Sequence, residues 1–289
     1  MSELTKPQIV HTVAELRRAV AEARAAGKSI GLVPTMGALH PGHVSLVAES
    51  VKHCGFTITT IFVNPTQFGP KEDFSKYPRT LEADVGLVAA QGCDLVFAPA
   101  TEVVYPPGHN TFVEMHGITE PLEGECRPGH FRGVATVVLK LFNMVGPDIA
   151  FFGRKDYQQT LVIEQLVRDF DLPIKIVVCP TLREADGLAM SSRNVYLSAE
   201  ERRRALALSR ALKKAEQAVK AGERDVWKIR DVLQTELAAE PEIRVQYAVV
   251  ADAATLREPA TLDRPCVALI AAFVGKTRLI DNCLLDPAS

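Results

Sequence analysis

Apolar runs of four to eight residues alternate with amphipathic stretches through the first 180 positions of the chain. The apolar runs lie at 30–33, 56–63, 95–98, 149–152 and 174–178, and their lengths are typical of buried strands. Helical periodicity occupies 13–26, 43–53, 80–91 and 134–145, and a further helix ends at 170. This alternation predicts a parallel sheet joined by right-handed crossovers.

The pattern changes beyond residue 180. Ser198, with Glu201 three positions later, is typical of a helix N-terminus, and a long charged helix is predicted to about residue 221. A second helix follows at 225–239, and the runs at 245–250, 267–273 and 277–280 predict antiparallel strands. We therefore predict an α/β fold with a Rossmann-like parallel sheet in an N-terminal domain, residues 1–180, and a smaller α+β C-terminal domain, residues 181–289.

Composition narrows the function classes. Apolar content is 47%, charged content is 24% and the formal net charge is -2, which describes an ordinary globular protein with no global attraction for nucleic acid. The six cysteines form no C-x-x-C pair, so we expect them to be reduced and structural. Residues 1–10 lack a leader pattern, and the late apolar run at 266–274 is too short to span a bilayer. We expect a cytoplasmic protein with neither nucleic acid nor membrane as a partner.

The first strand leads into a turn that carries two histidines. Residues 31–43 read GLVPTMGALHPGH, in which glycines allow close approach to a ligand and helical periodicity starts at Val44. A helix N-terminus offers unpaired N–H groups to an anion, and His40 and His43 are spaced to face the same phosphate. The alternatives are a zinc pair or two histidines that cap the core. Zinc is disfavoured because no carboxylate or cysteine stands nearby at ligand spacing.

Two later strands also end in polar residues, the place where open α/β sheets bind ligands. Residues 64–69 read NPTQFG, and residues 153–159 read GRKDYQQ at the start of a helix. Lys155 suits a phosphate, and Gln159, one helical turn on, is expected to face the same cleft. The alternative for Lys155 is a solvated lysine at a helix start.

Two polar segments have no clear periodicity. Residues 122–133 contain three glycines together with Arg127, His130 and Arg132, and this segment is either a lid or substrate-facing loop or a solvated connection. Residues 183–194 carry hydroxyl groups and a guanidinium that suit a flexible loop closing over a triphosphate, the alternative being a domain linker.

The histidine turn, Lys155 and the Met190 to Arg193 loop occur in an order that resembles the nucleotidyltransferase superfamily shared with class I aminoacyl-tRNA synthetases. The flanking residues are similar to the pantothenate synthetase family: PTMGALH at 34–40 with His43, FVNPTQF at 62–68, RPGHFRG at 127–133, FG at 152–153 with KD at 155–156, and DG at 186–187 with SSRN at 191–194. The similarity is strong over 30–197 and rests on architecture alone in the C-terminal part.

The resemblance implies a two-step ligase. Pantoate attacks the α-phosphorus of ATP to give an acyl adenylate and pyrophosphate, and the amine of β-alanine then displaces AMP. It further implies Mg²⁺ on the phosphates and a homodimer.

The resemblance also assigns roles to residues. ATP is expected at Met36, Gly37, Ala38, Leu39, His40, Pro41, Gly42, His43, Gly153, Arg154, Lys155, Asp156, Leu182, Met190, Ser191, Ser192 and Arg193. Of these, His40, His43, Lys155 and Arg193 are the expected catalytic groups, with His43 as proton donor. Pantoate is expected at Met36, Asn64, Gln67 and Gln159, and Gln67 is also expected near β-alanine. Asp84 is the candidate Mg²⁺ ligand, the alternative being an exposed helix aspartate.

One residue departs from the family pattern, because arginine occupies position 154 where a glutamate or glutamine is expected. We expect it to point to solvent or to tighten ATP binding modestly. Two other functions stay open at this stage. One is an adenylyltransferase acting on a phosphate-bearing substrate, which the two glutamines disfavour, and the other is a nucleotide sensor without catalysis.

Overall fold

The computed structural model describes residues 6–70 and 72–288, so part of the 1–10 segment lies outside the described residues. The described chain forms two compact units. The first contains the residues up to Arg154 together with Gln158–Pro180, and the second contains Lys155–Tyr157 and the residues from Thr181 onward. The assignment of nucleotide and pantoate binding to residues 1–180 stays a prediction.

The first unit is built on a six-stranded parallel sheet in the order β1-β4-β3-β2-β5-β6. The strands are β1 Gln8–Val10, β2 Ile30–Thr35, β3 Phe56–Ile61, β4 Leu95–Phe97, β5 Ile149–Gly153 and β6 Lys175–Cys179. The predicted parallel sheet is confirmed, and β1 is an additional edge strand that pairs with β4. The strand order reverses at β2, which has β3 on one side and β5 on the other. Doubly wound sheets bind ligands at such a switch point, outside the carboxyl ends of the strands.

Helices cover both faces of this sheet. They are α1 Val13–Ala25, α2 Pro41–His53, α3 Leu81–Ala89, α4 Thr101–Val104, α5 Glu123–Cys126, α6 His130–Val145 and α7 Tyr157–Asp169. One apolar cluster joins the sheet to α1 and α6, and another joins the opposite face to α2 and α3. Helix α6 begins four residues before the predicted Val134, because Gly129 adopts a left-handed φ of 82° and turns the chain into the helix.

The packing of α2 on β2 leaves no room at Gly31. A Cβ atom added there would lie 2.2 Å from Ser50 Oγ and 2.9 Å from Cys54 Sγ. Ser50 is fully buried and its hydroxyl is 2.9 Å from that of Thr57 on β3. The strand that leads into the histidine turn is therefore fixed against the helix that follows the turn.

The second unit is the predicted α+β part. It contains α8 Ala199–Lys220, α9 Val226–Ala238 and an antiparallel sheet of β7 Ile243–Asp252, β8 Cys266–Val274 and β9 Thr277–Leu285. The capping signal is confirmed: Ser198 Oγ accepts from Glu201 N at 3.2 Å, and Ser198 N donates to Glu201 Oε2 at 2.8 Å. None of the helices among residues 6–70 and 72–288 is long and apolar enough to cross a membrane.

Candidate active site

The turn after β2 has two successive residues in the left-handed region. Gly37 has a φ of 81° and Ala38 a φ of 49°. Left-handed geometry costs a non-glycine residue about 1–2 kcal/mol, so other contacts must hold Ala38 in place. Thr35 provides one of them: its Oγ1 donates to Thr60 O at 2.6 Å and accepts from Gly37 N at 3.3 Å.

Asp84 of α3 provides the strongest contact to this turn. Its Oδ2 accepts from Ala38 N at 3.0 Å and its Oδ1 accepts from Leu39 N at 2.8 Å. Thr80 Oγ1 also donates to Oδ2, at 3.2 Å. Asp84 is only 1% exposed, so the interpretation as an exposed helix aspartate is wrong. The carboxylate fixes the backbone that leads into α2.

The two histidines cap the start of α2. His40 Nδ1 accepts from Gly42 N at 3.1 Å, and His43 Nδ1 accepts from His40 N at 3.5 Å. Since Nδ1 accepts in both neutral rings, the proton of each lies on Nε2. The ring centroids are 4.0 Å apart and both side chains are partly exposed, so these residues are not core caps. The helix start thus presents two partly exposed histidines, while the backbone N–H groups of residues 42–44 already donate to His40.

Asn64, Gln67 and Met36 come together beside this turn. Asn64 Nδ2 donates to Gln67 Oε1 at 3.0 Å, and Gln67 Nε2 lies 3.1 Å from Met36 Sδ. The sequence assigns all three to pantoate, and the structure shows that they form one cluster, with Gln67 and Met36 partly exposed.

Asn64 itself is 1% exposed. Its Oδ1 accepts from Thr66 Oγ1 at 2.9 Å and from Tyr105 OH at 2.8 Å, and its Nδ2 also donates to Gly133 O at 3.2 Å. Burial raises the pKa of Tyr105, so its hydroxyl stays protonated and donates. Asn64 therefore organises the turn at 64–67, and its direct contact with pantoate stays a prediction.

The segment at 122–133 packs against the same turn. Arg127 forms a bidentate ion pair with Glu72, with Nε–Oε1 at 2.7 Å and a second hydrogen bond at 2.9 Å. His130 is only 8% exposed. The interpretation of this segment as a solvated connection is wrong for these two residues.

Two adjacent glutamines after β5 have different surroundings. Gln158 is 3% exposed and binds backbone groups: Oε1 accepts from Glu123 N at 3.0 Å, and Nε2 donates to Ile118 O and Pro121 O, both at 2.8 Å. Gln159 is partly exposed, as are Gly153 and Arg154. The predicted substrate contact thus falls on the glutamine that solvent reaches, while its neighbour supports the 118–123 backbone.

In the second unit, the predicted irregular loop at 183–194 is an ordered turn. Arg183 pairs with Asp281 through two hydrogen bonds, at 2.7 and 2.9 Å, and a β-bridge joins Arg183 to Ala189. Arg202 of α8 donates to Asp186 Oδ2 at 2.7 Å. These contacts give residues 183–189 a defined conformation in the second unit, and closure of the segment over a triphosphate stays a prediction.

The Met190 to Arg193 segment follows this turn. Met190 N donates to Leu182 O at 3.0 Å, which joins two residues predicted to bind ATP. Ser191 Oγ accepts from Arg193 N at 3.3 Å and caps a short 3₁₀ helix, Ser192–Tyr196.

Lys155 also lies in the second unit. Its Nζ is 3.8 Å from Asp156 Oδ1, and its carbonyl accepts from Asn282 Nδ2 at 2.9 Å. Its side chain is 21% exposed, so the lysine is partly buried and still reached by solvent. Its contact with phosphate stays a prediction.

The predicted Mg²⁺ ligand, Asp84, uses both carboxylate oxygens to bind the backbone of the turn. Both carboxylate oxygens already accept backbone N–H groups, and Mg²⁺ requires near-octahedral oxygen coordination. Within residues 6–70 and 72–288, no three His, Cys, Asp or Glu side chains are grouped so as to hold a metal ion. The assignment of Mg²⁺ to Asp84 stays a prediction, and the hydrogen bonds give this carboxylate a different task.

The fold and these side chains define a class: a doubly wound α/β protein whose strand ends carry a helix start with two histidines and an amide-lined cluster. A family model for pantoate-β-alanine ligase matches residues 8–284. The chain therefore belongs to the pantoate-β-alanine ligase family.

Individual relatives agree with this membership. The pantothenate synthetase of Moorella thermoacetica is 53% identical over 96% of this chain and 99% of that protein. The crystal structure of pantothenate synthetase from Thermus thermophilus has 44% sequence identity and a TM-score of 0.92 over 96% of this chain and 98% of that one. A Francisella tularensis pantoate-β-alanine ligase, complexed with beta-gamma ATP and β-alanine, has 33% identity and a TM-score of 0.78 over 96% of this chain and 97% of that one.

Proposed function

We propose that this protein condenses pantoate with β-alanine to pantothenate, using ATP, through a pantoyl adenylate. Family membership supports the reaction, and the cluster of Gln67 and Met36 beside the histidine turn is the structural observation that carries it. An adenylate-forming ligase needs a phosphate-binding surface next to a pocket for a carboxylic acid, and the first unit carries residues suited to both.

In the first step the pantoate carboxylate attacks the α-phosphorus of ATP, and pyrophosphate leaves. Charge builds up on the phosphate oxygens as this bond forms. The Nε2–H groups of His40 and His43 offer donors to that charge without reorganisation, and the positive end of the α2 dipole faces the same side. ATP enters as its magnesium complex, a substrate whose ion is bound mainly by phosphate and water.

Gln67 and Met36 are suited to different parts of pantoate, Gln67 to its polar groups and Met36 to its dimethyl group. The neutral amide of Gln67 suits a hydroxyl and a carboxylate because it carries both donors and an acceptor. Met36 offers an adaptable apolar surface to the dimethyl group. In the second step the β-alanine nitrogen attacks the activated carbonyl, the carbonyl–phosphate bond breaks and AMP leaves. Gln159 is assigned to pantoate, and Lys155, Ser191, Ser192 and Arg193 to phosphate, on family likeness alone.

The test is AMP formation by the purified chain with ATP, pantoate and β-alanine, each omitted in turn. Without β-alanine, pantoate-dependent exchange of labelled pyrophosphate into ATP should persist, and its absence would exclude a free adenylate. An acceptor bearing phosphate in place of pantoate should be inactive, which separates this function from the other adenylyltransferases.

His43→Ala should lower kcat by about 10²-fold, the size of one lost transition-state donor. His53→Ala is the matched control because His53 lies in the last turn of the same helix, half exposed and paired with Glu49. Equal activity of both variants would refute the role of His43.

Arg154→Glu tests the departure from the family pattern at position 154. An unchanged ATP KM in this variant would show that Arg154 does not contribute to ATP binding.

We further propose, from family likeness, a homodimer located in the cytoplasm. Sedimentation velocity of the full chain tests the dimer, and fractionation of cells that express the untagged chain tests the location. A monomer at assay concentration would contradict the first proposal.

A further inference from the structure

The main-chain carbonyl of Gln67 is bound by a histidine from another element. His130, the first residue of α6, places Nδ1 3.0 Å from Gln67 O. Its Nε2 lies 3.0 Å from Arg127 Nη1. A guanidinium only donates, so Nε2 accepts and the proton of the neutral ring lies on Nδ1, where it donates to Gln67 O.

The surroundings hold the ring in this neutral form. Arg127 faces it directly, while Glu72 and Glu123 pair with that guanidinium. Burial, followed by the Arg127 charge, lowers the pKa of His130 to about 4. Protonation would remove the acceptor for Arg127 and place two cations in contact, so the donor to Gln67 O is retained throughout the neutral pH range.

Helix α6 also touches the Gln67 turn with its backbone. A Cβ added at Gly133 would lie 2.4 Å from Thr66 O and 2.7 Å from Gln67 Cα. Asn64 Nδ2 connects Gly133 O with the Gln67 side-chain amide. His130 therefore acts on a turn that already lies against α6, and it fixes the carbonyl next to the Cα from which the Gln67 side chain extends.

We propose that His130 is a positioning residue, which sets the backbone of Gln67 and thereby the placement of its amide on pantoate. The proposal rests on the proposed function, because it takes Gln67 as the pantoate contact. Neither the family model nor the relatives' names assign His130 a task.

Two amide substitutions test the contact at Nδ1 and the contact at Nε2 of His130 separately. His130→Asn places an N–H donor near the position of Nδ1, so it can still bind Gln67 O but offers Arg127 no acceptor. His130→Gln places its amide oxygen near the position of Nε2, so it can still accept from Arg127 but leaves Gln67 O without its donor. His130→Ala removes both contacts.

Thr136→Ala is the stability control. Thr136 is a 2% exposed polar residue of the same helix whose hydroxyl binds Val113 N and Arg132 O. Each full-length variant is assayed for AMP formation with separate KM values for pantoate, β-alanine and ATP, and its thermal midpoint is recorded.

We expect His130→Ala and His130→Gln to raise the pantoate KM about tenfold, the size of one lost hydrogen bond, with the ATP KM within about twofold of the original chain. His130→Asn and Thr136→Ala should stay within about threefold for pantoate.

Three results would overturn the proposal: an Asn variant as impaired as the Gln variant, parallel rises in the pantoate and ATP KM values, or an Ala variant with an unchanged pantoate KM. If the unmodified chain forms no AMP, the proposed function fails and the inference fails with it. If that chain is active and the Asn and Gln variants behave alike, only the inference fails.

Discussion

Replacing Asp84 with alanine removes the contact that holds the histidine turn. Asp84 accepts from Ala38 N at 3.0 Å and from Leu39 N at 2.8 Å, and it is 1% exposed. Hydrogen bonds to a charged group contribute about 1.5–3 kcal/mol each, and water that enters the vacated space restores part of that. We therefore expect Asp84→Ala to lower the free energy of unfolding by about 3 kcal/mol.

The effect on activity should exceed the effect on stability. With the carboxylate gone, Ala38 is no longer held at its left-handed φ of 49°, and the start of α2 shifts with the turn. A displacement of about 1 Å at a catalytic group costs on the order of 10²-fold in rate. The expected result is a kcat/KM for ATP lowered about 10²-fold in the folded fraction of the variant.

Denaturant unfolding and AMP-formation kinetics measure these two effects. Glu82→Ala, an exposed position in the first turn of the same helix, is the matched control and should change neither. A magnesium titration of Asp84→Asn distinguishes a carboxylate that holds the turn from one that binds Mg²⁺. If Asp84 holds the turn, the half-saturating Mg²⁺ concentration stays constant. The reasoning is refuted if excess Mg²⁺ restores activity, or if Asp84→Ala keeps its stability and kcat/KM within about twofold.

Three further results are expected. In the folded protein His130 has a pKa of about 4, whereas in the unfolded chain it has its ordinary value of 6.5. The contribution of His130 to the free energy of unfolding therefore falls by about 3 kcal/mol as the pH drops from 6.5 to 4. In urea unfolding, His130→Asn should lose this part of the pH dependence. Gly31→Ala should lower the thermal midpoint by several degrees, since the new methyl group meets Ser50 Oγ at 2.2 Å; an unchanged midpoint would contradict the packing. Gly133→Ala should raise the pantoate KM more than the ATP KM, because its methyl group would displace Thr66 O beside Gln67. Equal changes in the two KM values would contradict this effect of Gly133 on the Gln67 turn.

Long periodic segments could be predicted from the sequence, and the short elements could not. The apolar run before the histidine turn predicted β2, and the Ser198 and Glu201 pair predicted the start of α8. Strand β1 has only three residues and exists through its pairing with β4, which no local pattern records. The early start of α6 depends on the left-handed φ of Gly129, which no local pattern predicts.

The same limit applies to the site. Motif spacing placed His40, His43 and Gln67 correctly at strand ends, because parallel strands bring their carboxyl ends to one edge. The roles of Asp84 and His130 depend on partners 46 and 63 positions away in the chain. The available signals were an aspartate in the first turn of a helix and a histidine two residues before an arginine, and neither pattern identifies a buried partner.

Buried polar residues, more than the exposed ones, set the geometry of this candidate site. Asp84, Asn64 and His130 each bind backbone groups of a turn that carries a proposed substrate contact, and each is less than a tenth exposed. A buried carbonyl or N–H left without its partner costs about 1–3 kcal/mol, so each turn has one strongly favoured position. Gln67 and His43, the proposed substrate contacts, are partly exposed and would then need little ordering when substrate binds. Substitutions that keep the buried hydrogen bond should therefore preserve catalysis better than substitutions that only keep the volume.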